Sequence, residues 1–369
     1  MKTDGYTYIS NRIKQFYPGQ EGLYYGTLLP GYLGGKDPLD AVEIWKSEKG
    51  CPHWLYVTYG FTDLYPDDDE DVEDDEDVDA CDNTNDNENC SENDSDDSDN
   101  PVSGFGFELT FRLKRGSEDT PPVWPMNLLQ NLARYVFSTG NTFDSGHNLN
   151  ANGPIALETD TQLTSIGFLT DPELGSINTV NGSMVFLEAI GITEDERNAM
   201  ICWSGDSFLS ELTKYIPYGI SDLSRISLMS QPEFRHAWEQ GVARDGSNTS
   251  LLYLSELTAS LENTKCYLQL GAGHIDQIVT LLRARIGKDR PFILQCNDTV
   301  VCFECAQRPA IDTDNDAVIL SLAQENLDEI CMLLKPHVGT YFMKTMPLTI
   351  EVVPTYIRDQ DGAIVQTIE

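Results

Sequence analysis

The chain has 369 residues, with 60 aspartates and glutamates against 24 lysines and arginines, so its formal net charge is −36. This acid excess argues against a broad nucleic-acid surface or a polybasic membrane patch, because both need clustered cations. No stretch approaches the roughly 18 apolar residues that a membrane span requires. The length favours two domains. We expect an intracellular protein whose nine cysteines are reduced thiols.

The negative charge is concentrated in one segment. Residues 67–99 hold 19 acidic side chains among 33 and no lysine or arginine, and without them the net charge is −17. Few apolar residues and strong self-repulsion predict disorder in this segment. Residues 54–60 and 104–113 on either side are β-like, and the second places phenylalanine and leucine at alternate positions. The acidic segment is therefore predicted to be a long hairpin insertion within one domain.

The remaining elements follow in chain order. A helix is predicted over 126–137, with Pro125 in its first turn, before a polar loop over 138–182 that serves partly as an interaction surface. Further predictions are a strand over 183–192, a capping box from Thr193 to Glu196, and a helix capped by Asp206. Beyond a boundary near residue 250, strands dominate and a single helix interrupts them. These predicted elements are strands at 266–271, 291–296, 299–306 and 348–354, and a helix around 327–334.

Two motifs with possible metal chemistry lack the ligands that such sites need. Cys302 and Cys305 have CxxC spacing, but no second pair accompanies them and a strand points the two thiols to opposite faces. The stretch 312–316 imitates a calcium loop, yet Ala317 and Ala323 replace its glycine and glutamate. We therefore expect no metal, no cofactor and no catalytic residues. An enzyme that uses a Cys–His pair or a metal remains an alternative, because the five histidines could meet a cysteine in space.

Several stretches together resemble the Suppressor of fused family in order and spacing. The resemblance covers the N-terminal part most closely and weakens past residue 260. The stretches are Tyr32-Leu-Gly-Gly-Lys-Asp-Pro-Leu-Asp40, His53-Trp54, Tyr59-Gly-Phe-Thr-Asp-Leu-Tyr65, Ser103-Gly-Phe-Gly-Phe-Glu-Leu-Thr-Phe-Arg-Leu-Lys-Arg115, Pro122-Val-Trp-Pro125, Leu132-Ala-Arg-Tyr-Val-Phe137, Asn141-Thr-Phe143 and Asp245-Gly-Ser-Asn248.

The resemblance implies an α+β fold with two mixed α/β-sheet domains, 1–250 and 251–369, and a disordered acidic insertion at 67–100 in the first. It implies a non-enzymatic, monomeric regulator in the cytoplasm, with a nuclear pool and no direct contact with nucleic acid or membrane. Members of the family hold Gli-type zinc-finger transcription factors and repress Hedgehog signalling. They clamp an extended Ser-Tyr-Gly-His-Leu peptide as an added β-strand between the two domains, a mode in which backbone pairing supplies affinity.

The resemblance also implies a peptide groove. At the positions of the two acidic residues that line this groove in animal members, the present chain has His147 and, near the second, His274; Asp144 could replace the first carboxylate. Tyr135 and Phe143 are kept, although core packing explains them equally well. The predicted groove residues are Leu33, Tyr135, Phe143, Asp144, His147 and His274.

A second alternative starts from the charge. A bacterial-type member of this family could act as an immunity or toxin-neutralising protein. The net charge of −36 suits the capture of a basic toxin, because opposite fields speed and strengthen association.

Overall fold

The computed structural model describes residues 4–28, 35–65, 101–262, 264–315, 317–358 and 364–369. The chain separates into two units. Unit 1 comprises Met1–Phe143 and Thr170–Glu188, and unit 2 comprises Asp144–Leu169 and Ala189–Glu369. The acidic segment 67–99 and Leu33 lie outside the described residues, so the predictions made for them stay predictions. The same holds for the expected domains 1–250 and 251–369.

Helices alternate with strands along the described chain. The helices are α1 (Gly5–Phe16), α2 (Trp124–Thr139), α3 (Glu194–Ile201), α4 (Gly205–Leu212), α5 (Pro232–Asp245), α6 (Ile275–Arg285) and α7 (Gln324–Leu333). The strands before residue 250 are β1 (Leu23–Gly26), β2 (Ala41–Ser47), β3 (His53–Tyr59), β4 (Val102–Lys114), β5 (Asn148–Asn150), β6 (Leu163–Thr170), β7 (Ser176–Thr179) and β8 (Gly182–Thr193).

The later strands are β9 (Leu251–Tyr253), β10 (Leu257–Glu262), β11 (Lys265–Gly271), β12 (Phe292–Cys296), β13 (Thr299–Cys305), β14 (Ala310–Asp314), β15 (Ala317–Leu322), β16 (Gly339–Phe342), β17 (Leu348–Val353), β18 (Thr355–Arg358) and β19 (Ile364–Ile368). Helices combined with several mixed sheets confirm the predicted α+β class.

Unit 1 is built on a sheet in the order β1-β2-β3-β4-β8, with β7 also paired to β8. The pairs from β1 to β4 are antiparallel, and β4 and β8 are parallel. The antiparallel pairing of β3 with β4 confirms the hairpin that was predicted around the acidic segment. The described residues on either side of that segment both contact the β7–β8 hairpin, because Asn181 Nδ2 donates to Tyr65 O (3.1 Å) and Ser183 N donates to Pro101 O (2.8 Å).

Both faces of β4 are buried, which its alternating pattern did not predict. Phe107 and Phe111 lie on the apolar face as expected, at 2% and 0% exposure. On the opposite face Glu108, Thr110 and Arg112 are each fully buried. A charged face at period two is usually solvated, but here Glu108 accepts hydrogen bonds from β3 and the residues after it, and Thr110 and Arg112 contact carboxyl groups outside the hairpin. Unit 1 therefore has a polar interior layer beside its apolar core.

Unit 2 contains a four-stranded sheet, β10-β11-β17-β16, and a five-stranded sheet, β14-β15-β13-β12-β9. It also contains the β18-β19 pair and the antiparallel pair of β5 with β6. Helices α6 and α7 pack on its apolar core through Ile278, Leu281, Leu327 and Ile330. The expectation of a single helix beyond residue 250 was wrong. Helix α6 begins after a glycine-rich stretch and has no side-chain cap, so its start lacks the usual signal.

Most other predicted elements are confirmed. Helix α2 has proline in its first turn, β8 spans the predicted strand, and the capping box of α3 is present, with Thr193 N donating to Glu196 Oε2 at 2.9 Å. The prediction that Asp206 caps α4 was wrong. Ser204 is the N-cap, and Asp206 accepts a hydrogen bond from Ser145. The loop predicted over 138–182 contains β5, β6 and β7: β5 and β7 are short and polar, and β6 is one of the apolar pieces between polar stretches.

Candidate functional site

A cavity of about 670 Å³ lies within unit 2. Strands β5, β9 and β18, helix α3 and the start of α6 line it. Its principal lining residues are Asn148, Glu194, Arg197, Leu251, Leu252, Tyr253, Ser255, Gly273, His274, Gln277, Thr355, Tyr356 and Ile357.

Strand β5 offers an open edge at this cavity. It ends its sheet, and in the described part of the chain its strand partner is β6. His147 O accepts from Phe168 N (2.9 Å) and Ala151 N donates to a β6 carbonyl (3.0 Å), so these two residues face β6. Because the bonds of an antiparallel strand alternate in direction, the backbone groups of Asn148 and Asn150 point the other way. Asn148 itself lines the cavity.

Strand β9 offers a second open edge. It ends the five-stranded sheet, where it pairs in parallel with β12. Ser250 O accepts from Ile293 N (2.8 Å) and Leu254 N donates to a β12 carbonyl (2.8 Å), so residues 250 and 254 face β12. By the same alternation, the N–H and C=O of Leu251 and Tyr253 face away from β12. Two strand edges with available backbone groups thus belong to one cavity.

The rim of the cavity is apolar. Tyr253, Tyr356 and Ile357 are 69%, 44% and 41% exposed, although each is a large hydrophobic side chain. Exposed apolar groups around a concave site are typical of a surface that binds a macromolecular segment. Backbone edges inside and apolar side chains at the rim suit an extended peptide, because the backbone gives affinity and the side chains give selectivity.

The polar wall of the cavity carries one ion pair and one hydrogen-bond network. Arg197 Nη2 lies 2.8 Å from Glu194 Oε1. At the start of α6, His274 Nε2 lies 3.3 Å from Ser255 Oγ. The burial of His274 lowers the pKa of its ring, and the nearby carboxylate of Glu256 opposes this shift. At neutral pH this imidazole is therefore uncharged.

The structure places three of the six predicted groove residues in unit 2. His274 lines the cavity, and His147 directly precedes Asn148 of the open β5 edge. Asp144 N donates to His147 Nδ1 (3.2 Å), and His147 N donates to Asp144 O (3.1 Å). Since Nδ1 accepts this bond, the neutral ring of His147 carries its proton on Nε2. The role of these residues in ligand binding stays a prediction.

Tyr135 and Phe143 lie in unit 1, where their rings stack at 5.7 Å. Phe143 is 7% exposed and contacts the ring of Phe107 at 6.2 Å, whereas Tyr135 is 37% exposed. The residues that the sequence did not single out are those of β9. Their short apolar run follows directly on the predicted boundary near residue 250, which is the signal that could have identified them.

The described residues contain no cluster of three or more histidine, cysteine, aspartate or glutamate side chains that could hold a metal. Burial raises the pKa of the Cys302 thiol, and a hydrogen bond with Asp289 raises that of Cys305. The CxxC thiols are therefore protonated at neutral pH and are weak nucleophiles. In the described part of the chain no helix is both long and apolar enough to cross a membrane.

Comparison with known sequences finds a matching family model and curated relatives. The family model of the Suppressor of fused protein matches residues 83–226. Suppressor of fused homologues of Mus musculus and Homo sapiens are each 32% identical over 257 residues, which is 66% of this chain and 48% of theirs. The chain therefore spans about half the length of the curated relatives that it matches.

Comparison with solved structures finds structures that carry the same family name. The crystal structure of Drosophila Suppressor of Fused matches with a TM-score of 0.71, covering 95% of this chain and 97% of that one at 19% identity, a likeness of fold. A chain in the crystal structure of the Sufu–Fu complex is 29% identical, with a TM-score of 0.52, and covers 64% of this chain and 97% of its own length.

Proposed function

Because the chain belongs to the Suppressor of fused family, we propose that it is a non-enzymatic binding protein that receives an extended segment of a partner protein as an added β-strand. The observation that carries the proposal is the pair of open strand edges, β5 and β9, at one cavity. A segment inserted between them would pair with Asn148 on one side and with Leu251 and Tyr253 on the other. These residues stand on opposite sides of the expected domain boundary at residue 250.

The related Sufu–Fu complex supports a protein as the partner. We propose a Gli-type transcription factor with a Ser-Tyr-Gly-His-Leu-like segment, and thereby a negative regulator of Hedgehog signalling. The protein would be a monomer that acts in the cytoplasm with a nuclear pool, without direct contact with nucleic acid or membrane. The net charge of −36 favours basic flanking residues in the partner, because attraction between opposite fields speeds association.

Isothermal titration of the full chain with a Ser-Tyr-Gly-His-Leu-containing peptide tests this proposal. We expect a Kd below about 100 µM, since a few net backbone hydrogen bonds and buried rim contacts supply the required free energy. The matched control is the same peptide with N-methylated backbone amides, which keeps the side chains and removes the strand pairing. Absence of binding by the unmodified peptide, or equal binding by both peptides, contradicts the proposal.

The acid excess favours one other candidate function, the neutralisation of a folded basic toxin. Such a complex would weaken steeply with added salt and would not depend on the β9 edge. Binding of a basic protein that persists when the β9 edge is blocked would support this candidate instead.

A further inference from the structure

The hydrogen-bond network on the cavity wall has a defined direction. Gly273 N donates to Thr355 Oγ1 (3.1 Å), and Thr355 Oγ1 donates to Glu256 Oε2 (3.2 Å). The hydroxyl of Ser255 donates to the same carboxylate oxygen. Both hydroxyl protons are thus committed to Glu256 Oε2, which accepts both hydrogen bonds.

This assignment fixes the tautomer of His274. Because the single proton of the Ser255 hydroxyl is used on Glu256, the 3.3 Å contact between Ser255 Oγ and His274 Nε2 needs a proton from the imidazole. Nε2 therefore carries the hydrogen, and Nδ1 of the neutral ring has a free lone pair. In the described residues no group donates a hydrogen bond to this nitrogen, although His274 lines the cavity.

The charge of Glu256 is not cancelled locally. Its carboxylate accepts from two hydroxyls, but no lysine or arginine of the described chain pairs with it. Arg197, the cation among the lining residues, is already paired with Glu194 at 2.8 Å. The negative charge therefore acts through Ser255 on the imidazole and makes Nδ1 a better acceptor.

We propose that His274 Nδ1, polarised by Glu256 through Ser255, selects a partner side chain that donates an N–H or O–H hydrogen bond into the cavity. The inference rests on the proposed function and names the chemistry of its recognition: hydroxyl, imidazole or cationic side chains are accepted, and carboxylates are rejected. A carboxylate would place its lone pairs and charge against those of the network. His274 is then a specificity-determining residue, and Glu256 is a positioning and polarising residue behind it.

The test titrates the Ser-Tyr-Gly-His-Leu peptide, and versions of it that each lose one donor, into wild type and five variants of the full chain. His274→Ala removes the acceptor, and Glu256→Gln and Ser255→Ala interrupt its polarisation. His337→Ala and Glu304→Gln, on exposed positions elsewhere in unit 2, are the matched controls. We expect His274→Ala to weaken the unmodified peptide roughly tenfold, the scale of one hydrogen bond in a binding site, and the controls to leave it unchanged.

The peptide versions replace serine by alanine, tyrosine by phenylalanine, or histidine by asparagine or aspartate. One donor-deleted peptide should bind wild type and His274→Ala equally, which identifies the interacting pair. Thermal unfolding of Glu256→Gln and Ser255→Ala checks that unit 2 stays folded. Unchanged affinity in both His274→Ala and Glu256→Gln overturns the inference while leaving the strand-addition proposal standing. Failure of the unmodified peptide to bind wild type rejects that proposal instead.

Discussion

Arg112 Nη1 lies 2.6 Å from Asp171 Oδ2 inside unit 1, and neither side chain has any exposed surface. Glu188 and Glu173 also contact this guanidinium. Burial alone would raise the pKa of Asp171, but the charge and hydrogen bonds of Arg112 lower it to about 2. The cluster is therefore an ionised network in the interior, and its cation is surrounded by more carboxyl groups than it can neutralise.

Replacing Arg112 should destabilise the fold strongly. Arg112→Met leaves Asp171 buried without its cation, which costs about 3–5 kcal/mol in comparable sites. Urea unfolding of wild type and variant measures the difference. The control is Arg134→Met, because its 2.7 Å pair with Asp37 is nearly half exposed and such pairs contribute less than about 1 kcal/mol. Equal losses in the two variants would contradict this account of the cluster.

Glu188 holds a proton in this network. Thr110 Oγ1 lies 2.7 Å from both Asp171 Oδ2 and Glu188 Oε2, yet a hydroxyl has only one hydrogen to donate. One of the carboxyl groups must therefore supply the second hydrogen. Burial raises the pKa of Glu188 to about 8, with the charge of Arg112 opposing the shift, so Glu188 is the protonated member of the pair at neutral pH.

The pH dependence of stability follows from this proton. A carboxyl group with a raised native pKa binds more protons in the folded than in the unfolded state between pH 4.5 and 8, so the free energy of unfolding falls as pH rises through this range. The slope is at most about 1.4 kcal/mol per pH unit for each such group. Burial also raises the pKa of Glu108 to about 7, so this group adds to the fall in the free energy of unfolding as pH rises toward 7.

Glu188→Gln keeps the neutral hydrogen-bonding group and removes its titration. We expect the variant to gain stability relative to wild type as pH is raised from 5 to 8, as measured by urea unfolding at several pH values. The control Glu304→Gln, at an exposed position, should show the same dependence of unfolding free energy on pH as wild type. A constant difference between Glu188→Gln and wild type across this range would show that Glu188 is ionised throughout.

Local pattern predicted much of this fold, and long-range contacts decided the rest. The β4 alternation and the capping box at Thr193 depend on neighbouring residues and were predictable, and the β-like stretches on both sides of the acidic segment indicated the hairpin. The burial of Arg112 was not, because its partners Asp171 and Glu188 lie 59 and 76 residues away. The place of His274 in a binding groove was suggested by the resemblance to the Suppressor of fused family and not by its local sequence pattern. The β9 edge could not be predicted, since a strand is an edge only once the order of its sheet is known.

Gly205 positions the turn that carries His147. A Cβ on Gly205 would lie 1.9 Å from the carbonyl oxygen of Gly146, in the turn between Asp144 and His147. Gly205→Ala must displace this turn, and we expect a loss of about 1–3 kcal/mol on unfolding together with weaker peptide binding. In Gly287→Ala the new methyl group has its nearest neighbour at 4.0 Å, so this control should behave as wild type. Unaltered unfolding and binding in Gly205→Ala would show that the turn is not tightly held.

The acidic segment should be removable without loss of the fold. Its flanking residues Tyr65 and Pro101 both accept hydrogen bonds from the β7–β8 hairpin, and β3 pairs directly with β4. Replacing residues 67–99 by a short Gly-Ser linker should leave the midpoint of thermal unfolding nearly unchanged. Because the deletion takes the net charge from −36 to −17, it should also slow association with a basic peptide and reduce its salt dependence. Unfolding of the deletion variant at room temperature would contradict the hairpin account.

The outward backbone of β9 can be tested with a single proline. Tyr253 N–H points away from β12, so Tyr253→Pro removes a donor to the bound strand and leaves the pairing with β12 intact. We expect peptide binding to be lost while the unfolding free energy changes by less than about 1 kcal/mol, because the side chain is 69% exposed.

Two further variants separate the possible causes of that loss. Tyr253→Ala keeps the N–H and deletes the rim contact, so it should bind the peptide more weakly than wild type but better than Tyr253→Pro. Leu252→Pro removes an N–H that faces β12 and should destabilise unit 2 by about 3 kcal/mol. If Tyr253→Pro binds the peptide as wild type does, the bound segment does not pair with β9, and the strand edge is not the recognition element.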